Sequence, residues 1–114
     1  MANIPLNKFR RYSSSLGTDS VIMYQAPERR AGIILTALST NTTDSVKTVT
    51  IGISTQAMDQ YFDLVKNISL DGYDAANVVV GKIVVEEGDY VVASSNDPLS
   101  GVNLTLSILE AIND

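Results

Sequence analysis

Thr48-Val49-Thr50-Ile51-Gly52-Ile53-Ser54 sets an apolar side chain at every second position from Val49 to Ile53. That two-residue period belongs to a strand with one face on a core and the other toward water. Toward the C-terminus, Val102, Leu104, Leu106 and Ile108 alternate with Asn103, Thr105 and Ser107, and predict a second half-buried strand. Ile33 to Leu38 and Val78 to Val85 are more continuously apolar and β-branched, a pattern expected of central strands covered on both faces. Phe9 to Ser15, Ser20 to Gln25, Tyr61 to Leu70 and Tyr90 to Ser94 complete a set of about eight strands.

Turn chemistry separates them. Leu16-Gly17-Thr18-Asp19, Ala26-Pro27-Glu28, Asn41-Thr42-Thr43-Asp44, Asp71-Gly72-Tyr73-Asp74, Glu87-Gly88-Asp89 and Asn96-Asp97-Pro98 punctuate the chain. Short strands between regularly spaced turns predict an all-β, antiparallel β-sandwich, of jelly-roll or immunoglobulin-like topology. Gly81, inside an apolar run, is expected to mark a bulge or a close backbone approach. Helical periodicity is thin: Thr55 to Val65 and Asp74 to Asn77 have room for one short turn each. Met1 to Asn7 contains Pro5 and no pairing signal, so residues 1–12 read as an extended N-terminal arm and residues 13–114 as one sandwich domain.

A chain of 114 residues supports a single core. Its charged fraction of 18% is below the roughly 25% of average soluble domains, which suggests surface reserved for partners. The chain holds no His, Cys or Trp. The side chain that titrates near neutrality and the easiest nucleophile and thiolate ligand are therefore both missing. The N-terminus has no secretory signature, so retention in a cytosol is expected, and the Asn-x-Ser/Thr triplets at Asn41, Asn67 and Asn103 carry no glycosylation argument. The longest apolar run, Ala31 to Leu35, is far shorter than the roughly twenty residues a membrane helix needs.

Charge is unevenly distributed. Residues 1–30 carry five basic groups (Lys8, Arg10, Arg11, Arg29, Arg30) against two acidic ones, a balance of +3; the remainder carry three against eleven, a balance of −8. Such polarity suits docking of a basic segment on an acidic partner or contacts between copies, and these five residues are the partner-binding candidates. Nucleic acid is disfavoured by a pI near 4.5 and the lack of a cationic stripe with interleaved aromatics.

Catalytic signals are weak throughout. Asp71 and Asp74 offer too few oxygens for calcium, and Glu86, Glu87 and Asp89 read as a charged hairpin tip. Lys66 and Lys82 lie near hydroxyls without a cleft to pin a Ser-Lys dyad. No phosphate-cradling glycine pattern occurs. The expectation is a protein that is not an enzyme, with no cofactor, no metal and no small-molecule substrate. Tyr12, Tyr24, Tyr61, Tyr73 and Tyr90 leave open a carbohydrate- or protein-binding surface, beside the plainer role of capping a sandwich core.

The segment from Asp71-Gly72-Tyr73-Asp74 through Val78-Val79-Val80-Gly81-Lys82-Ile83-Val84-Val85 to Glu86-Glu87-Gly88-Asp89 resembles small virion structural proteins of tailed bacteriophages. There a polar loop, an apolar strand, a Gly-Lys step, another apolar strand and a Glu-x-Gly-Asp turn follow one another. Ser13 to Ala26 with Tyr24-Gln25-Ala26-Pro27, and Leu104-Thr105-Leu106-Ser107-Ile108-Leu109-Glu110, are similar to the same pattern. The charged Glu28-Arg29-Arg30 and the stretch Gln56 to Tyr61 depart from it.

The resemblance implies a β-sandwich subunit of the virion, assembled in a bacterial host cytoplasm. Its expected role is capsid decoration, as a trimer or hexamer bound to the major capsid protein or other virion proteins. A neck, tail or fibre-base ring and a monomeric sugar- or protein-binding module are the alternatives.

Overall fold

The structure is a computed structural model that describes residues 8–55, 60–79 and 81–112. Nine strands follow in chain order: β1 (Lys8–Leu16), β2 (Val21–Gln25), β3 (Arg30–Asn41), β4 (Lys47–Ser54), β5 (Tyr61–Leu70), β6 (Ala75–Asn77), β7 (Ile83–Val85), β8 (Tyr90–Ser95) and β9 (Val102–Ile112). All pairings are antiparallel, in two sheets: β1-β9-β3-β6, with β7 also on β3, and β2-β8-β4-β5.

The pairing is nested. The first strand pairs with the last, the second with the eighth, β3 with both β6 and β7, and β4 with β5. A long antiparallel ribbon has thus been rolled so that successive pairs fall in opposite sheets. This is the jelly-roll order and not the immunoglobulin one, whose strands divide ABED and CFG.

Alternation sends one set of side chains between the sheets. From β9 come Val102, Leu104, Leu106 and Ile108, from β4 Val49 and Ile51, from β8 Val91 and Ala93, from β3 Ile34 and Ala37, and all are buried. Each of the Val, Leu and Ile side chains contributes roughly 1.5–3 kcal/mol by leaving water, and the alanines less. One polar residue inside the sandwich organises a whole turn. Asn41, fully buried, donates through Nδ2 to the carbonyls of Ser45 (2.7 Å) and Leu70 (3.0 Å), and its Oδ1 accepts from the Thr43 amide (2.9 Å) and hydroxyl (2.7 Å).

Four sequence expectations are corrected. Val78 to Val85 is not one central strand but a broken edge of the first sheet. The chain leaves β3 after Asn77, whose Oδ1 accepts from the Ala37 amide (2.8 Å), and returns at Ile83. Val78 and Val79 are both buried, which alternation in a strand does not allow, while Val84 faces solvent. Gly81 sits at φ 88°, a conformation open to glycine, and a Cβ there would meet nothing within 4 Å, so the need is conformational and not a close approach.

Ile33 to Leu38 lies centrally but is not covered on both faces. A bulge between Ile34 and Thr36 shifts the register, and Leu38 is exposed. Asp74 to Asn77 is mostly strand β6 and not helical. The arm boundary also moves, because Lys8–Tyr12 are paired with Leu106–Glu110 inside β1. Met1 to Asn7 and the centre of the Thr55 to Val65 segment lie outside the described residues; Tyr61 to Val65 is extended.

Candidate functional site

The rolled topology brings both ends of the basic N-terminal segment to one end of the sandwich. Lys8 stands opposite Glu110 on β9, Gly32 of β3 stands on the other side of Glu110, and Arg30 pairs with Ile112 just beyond. Lys8, Arg10 and Arg11 therefore share an end with Arg29 and Arg30. Acidic residues meet them there. Glu28 belongs to the β2–β3 turn, and Glu86, Glu87 and Asp89 belong to the β7–β8 turn held against it by the Ala26 amide to Asp89 carbonyl and Gly88 amide to Ala26 carbonyl bonds (3.1 and 2.9 Å). The Arg29 amide donates to Glu87 Oε2 (3.0 Å). The charge separation visible along the chain is thus largely cancelled in space at this end. The opposite end gathers Asp19, Asp44, Asp71, Asp74 and Asp97 in its turns, with Lys47 beside them.

Among the five candidate cations only three stay available. Lys8, Arg11 and Arg29 are exposed. Arg10, 47% exposed, turns its Nε to Glu110 Oε1 (3.3 Å). Arg30 is half-buried, with Nη1 out of contact with water and without a partner among the described residues.

Glu110 was not among the candidates, because its position continues the inward series of β9 and reads as a strand end. It is 1% exposed, and its second carboxylate oxygen accepts from the Tyr24 hydroxyl (2.8 Å). A buried carboxylate is tolerated only when its oxygens are engaged. Tyr24 is held from three sides: Glu110, the tilted ring of Tyr12 at 5.2 Å, and Gly32, where a Cβ would stand 2.7 Å from the ring. Burial, then the hydrogen bond to Glu110, raises the Tyr24 hydroxyl well above its ordinary value. The group ties the two sheets together, and the depressions over residues 25–28 with Glu87 and Gly88 and over residues 13–15 with Asn103 and Thr105 are not lined by it.

The five tyrosines do not converge. Tyr12 and Tyr24 serve the core, Tyr73 stands exposed in the β5–β6 turn, and Tyr61 and Tyr90 lie on either side of Ser54 in the second sheet. The Tyr61 ring covers Gly52, and its hydroxyl is pushed up to about 12 by partial burial and by Asp63. Lys66 is exposed on β5 of the second sheet and Lys82 is exposed just before β7 of the first, with no hydroxyl bonded to either among the described residues. No group of three or more carboxylates able to hold a metal occurs among the described residues. An open depression of about 410 Å³ lies over Gln25, Ala26, Pro27, Glu28, Glu87 and Gly88, and a shallower one of about 320 Å³ over Ser13, Ser14, Ser15, Asn103 and Thr105. The hydroxyls of the second are already engaged: Ser13 with Thr105 (3.0 Å), Ser14 as donor to the Ser15 carbonyl (3.1 Å) and Ser15 as donor to Asn103 Oδ1 (3.3 Å).

One feature among the described residues that the fold itself does not explain is apolar. Across the outer face of the first sheet, Phe9 pairs with Leu109, Leu109 with Ile33, and Ile33 with Val84. Phe9 is 79% and Val84 56% exposed, and neither Leu109 nor Ile33 packs against the core. Ala31 and Ala111 pair alongside. The other half of the same face is mostly polar, built from Ser13, Ser15, Asn103, Thr105 and Thr40 around the exposed Leu38. Sequence reading missed this row because its members belong to four strands, two of them read as covered on both faces. No protein-family model and no curated protein matches the chain.

Proposed function

We propose that this chain is a bacteriophage virion structural protein, a capsid decoration subunit that oligomerises over junctions of the head shell and works by burying surface. The observation that carries the reading is the row Phe9, Leu109, Ile33, Val84, a contiguous apolar strip on a sheet face that a monomer gains nothing by exposing. Two features add support. Jelly-roll sandwiches recur in viral capsid proteins, and the sequence resembles small phage virion proteins over most of its length. The exposed Lys8, Arg11 and Arg29 remain available for acidic partner surfaces. Many symmetric copies would turn modest contacts into strong avidity along seams that internal pressure opens.

Copy number tests the proposal. Quantitative mass spectrometry and labelled electron microscopy of purified virions should find the chain in hundreds of copies spread over the head, and heads stripped of it should open at lower temperature. Absence from purified particles would overturn the virion reading. Six or twelve copies at one vertex would replace decoration with a neck or tail ring.

A further inference from the structure

We infer that the apolar row is the contact with a second copy of this chain, seated face to face about a two-fold axis running along the row from Phe9 to Val84. The inference rests on the reading of this face as an assembly surface, and needs nothing of where in a virion the protein sits. Two observations commit the occupant to a second copy.

The first is the layout of charge about the row. Val84 is flanked by Lys82 two residues before it and Glu86 two residues after it, both exposed and neither ion-paired among the described residues. Rotation by 180° about the row leaves Val84 near Val84 and exchanges the two sides, so Lys82 of each copy comes over Glu86 of the other. Two opposite-charge pairs form from one surface, which is the self-complementarity an isologous contact demands. A rotation about the strand direction would instead set Arg11 over Lys82, since the pairing places both on the same side of the row.

The second is the match of small to larger side chains. On one side of the row lie Ala31 and Ala111; on the other lie Ser107 and its exposed partner Thr36, with Leu35 the extra residue of the β3 bulge. The same rotation brings the Leu35–Thr36 bulge over Ala31 and Ser107 over Ala111, so the bulge meets an alanine methyl.

Size sets the strength of the contact. Leu109 lies three residues from the Ile112 end of β9 and seven from its Val102 end, so rotation about the row overlaps about seven residues on each of four strands, roughly 440 Å² per partner at about 3.3 Å per residue and about 4.8 Å per strand, the scale of a weak self-association. The occupant is then a dimer mate, alone or within an even-numbered assembly such as a hexamer built from a two-fold and a three-fold.

The test is the mass of the full chain in solution, by sedimentation at about 100 μM, with circular dichroism and cooperative melting to confirm that each variant folds. Wild type should be dimeric or an even multiple. Val84→Asp, at an exposed position, should dissociate it. Lys82→Glu and Glu86→Lys should each raise the dimer dissociation constant about tenfold, and the double variant K82E/E86K should restore it. Rescue by the double exchange is expected only where each residue faces the other's copy. A monomeric or strictly trimeric wild type, a folded Val84→Asp that still dimerises, or a double exchange no better than the singles would overturn the inference. A monomer that is nonetheless abundant in virions would defeat this contact while leaving the proposed function standing.

Discussion

The Tyr24 hydroxyl donates a 2.8 Å hydrogen bond to Glu110, and that bond joins β2 in one sheet to β9 in the other. The far side of the same carboxylate holds Arg10 on β1. Glu110 thus ties three strands where the sandwich would otherwise open. Tyr24→Phe leaves the ring in place and removes one donor from a buried carboxylate, so a loss of about 1–3 kcal/mol is expected in urea unfolding. Glu110→Ala should cost at least as much, because it also leaves the Tyr24 hydroxyl unpartnered. Stability unchanged in Tyr24→Phe would mean that the bond does not hold the sheets.

Alkali should weaken the fold through two tyrosines. Tyr24 is raised by burial and Glu110, and Tyr61 to about 12 by burial and Asp63. Below about pH 10 both hydroxyls keep their protons whether the chain is folded or not. Above it the unfolded chain releases protons that the folded one retains, so stability falls as pH rises, and the Tyr61 share is gone beyond about pH 12. Unfolding free energy compared at about pH 9.5 and 11.5 should drop in wild type and drop less in Tyr61→Phe. An identical slope in that variant would contradict the assignment.

Acid should act through Asp97. Its carboxylate accepts from the Leu99 amide (3.1 Å) and the Gly101 amide (2.7 Å) and lies 3.7 Å from Lys47 Nζ. The Leu99 bond first, then the Gly101 bond and Lys47, hold its pKa below the usual carboxylate value against an opposing effect of burial. The stabilisation is therefore present above the unfolded pKa and lost as pH falls through the lower folded one. Asp97→Ala should lower Tm at neutral pH and flatten its dependence on acid; a variant that keeps the wild-type acid profile would argue otherwise.

Two glycines under tyrosine rings should respond differently to the same change. Gly32→Ala drives a Cβ into Tyr24, which cannot swing away while bound to Glu110, and about 1–3 kcal/mol of overpacking is expected. Gly52→Ala meets Tyr61, whose ring is about half exposed and whose hydroxyl is tied only to the exposed Asp63, so the ring can yield toward solvent and the cost should stay below about 1 kcal/mol. Thermal melts of the two variants decide it, and equal losses would show that Tyr24 is not pinned.

Asn41 should tolerate no replacement. Asn41→Ala removes a donor from the Leu70 carbonyl and the acceptor of the Thr43 amide, while the Ser45 carbonyl keeps the Thr43 hydroxyl (3.0 Å), for a loss of about 1–3 kcal/mol. Asn41→Asp should be worse, since it puts a carboxylate oxygen in place of the donating Nδ2, against the carbonyls of Ser45 and Leu70, and buries a negative charge. Chemical denaturation of both ranks them, and an aspartate milder than alanine would refute the bonding scheme.

The sequence by itself determined the class of fold and the inner face of most strands. A period of two is a local property, and residues such as Val49, Ile51, Leu104 and Leu106 show it without reference to the rest of the chain. The turns were legible for the same reason, since Gly, Pro, Asn and Asp act on their own backbone. Local patterns fail where the answer depends on what lies across the strand. Nothing in Val78 to Val85 reveals that an asparagine side chain replaces a strand bond at Ala37 and lets the chain leave the sheet. The choice of jelly roll, the cancellation of the basic segment by Glu110 and the β7–β8 turn, and the row from Phe9 to Val84 were decided by tertiary structure alone. Each depends on register between strands as far apart as β1 and β9, and register is set by the burial of the whole core, a sum that no single stretch of sequence contains.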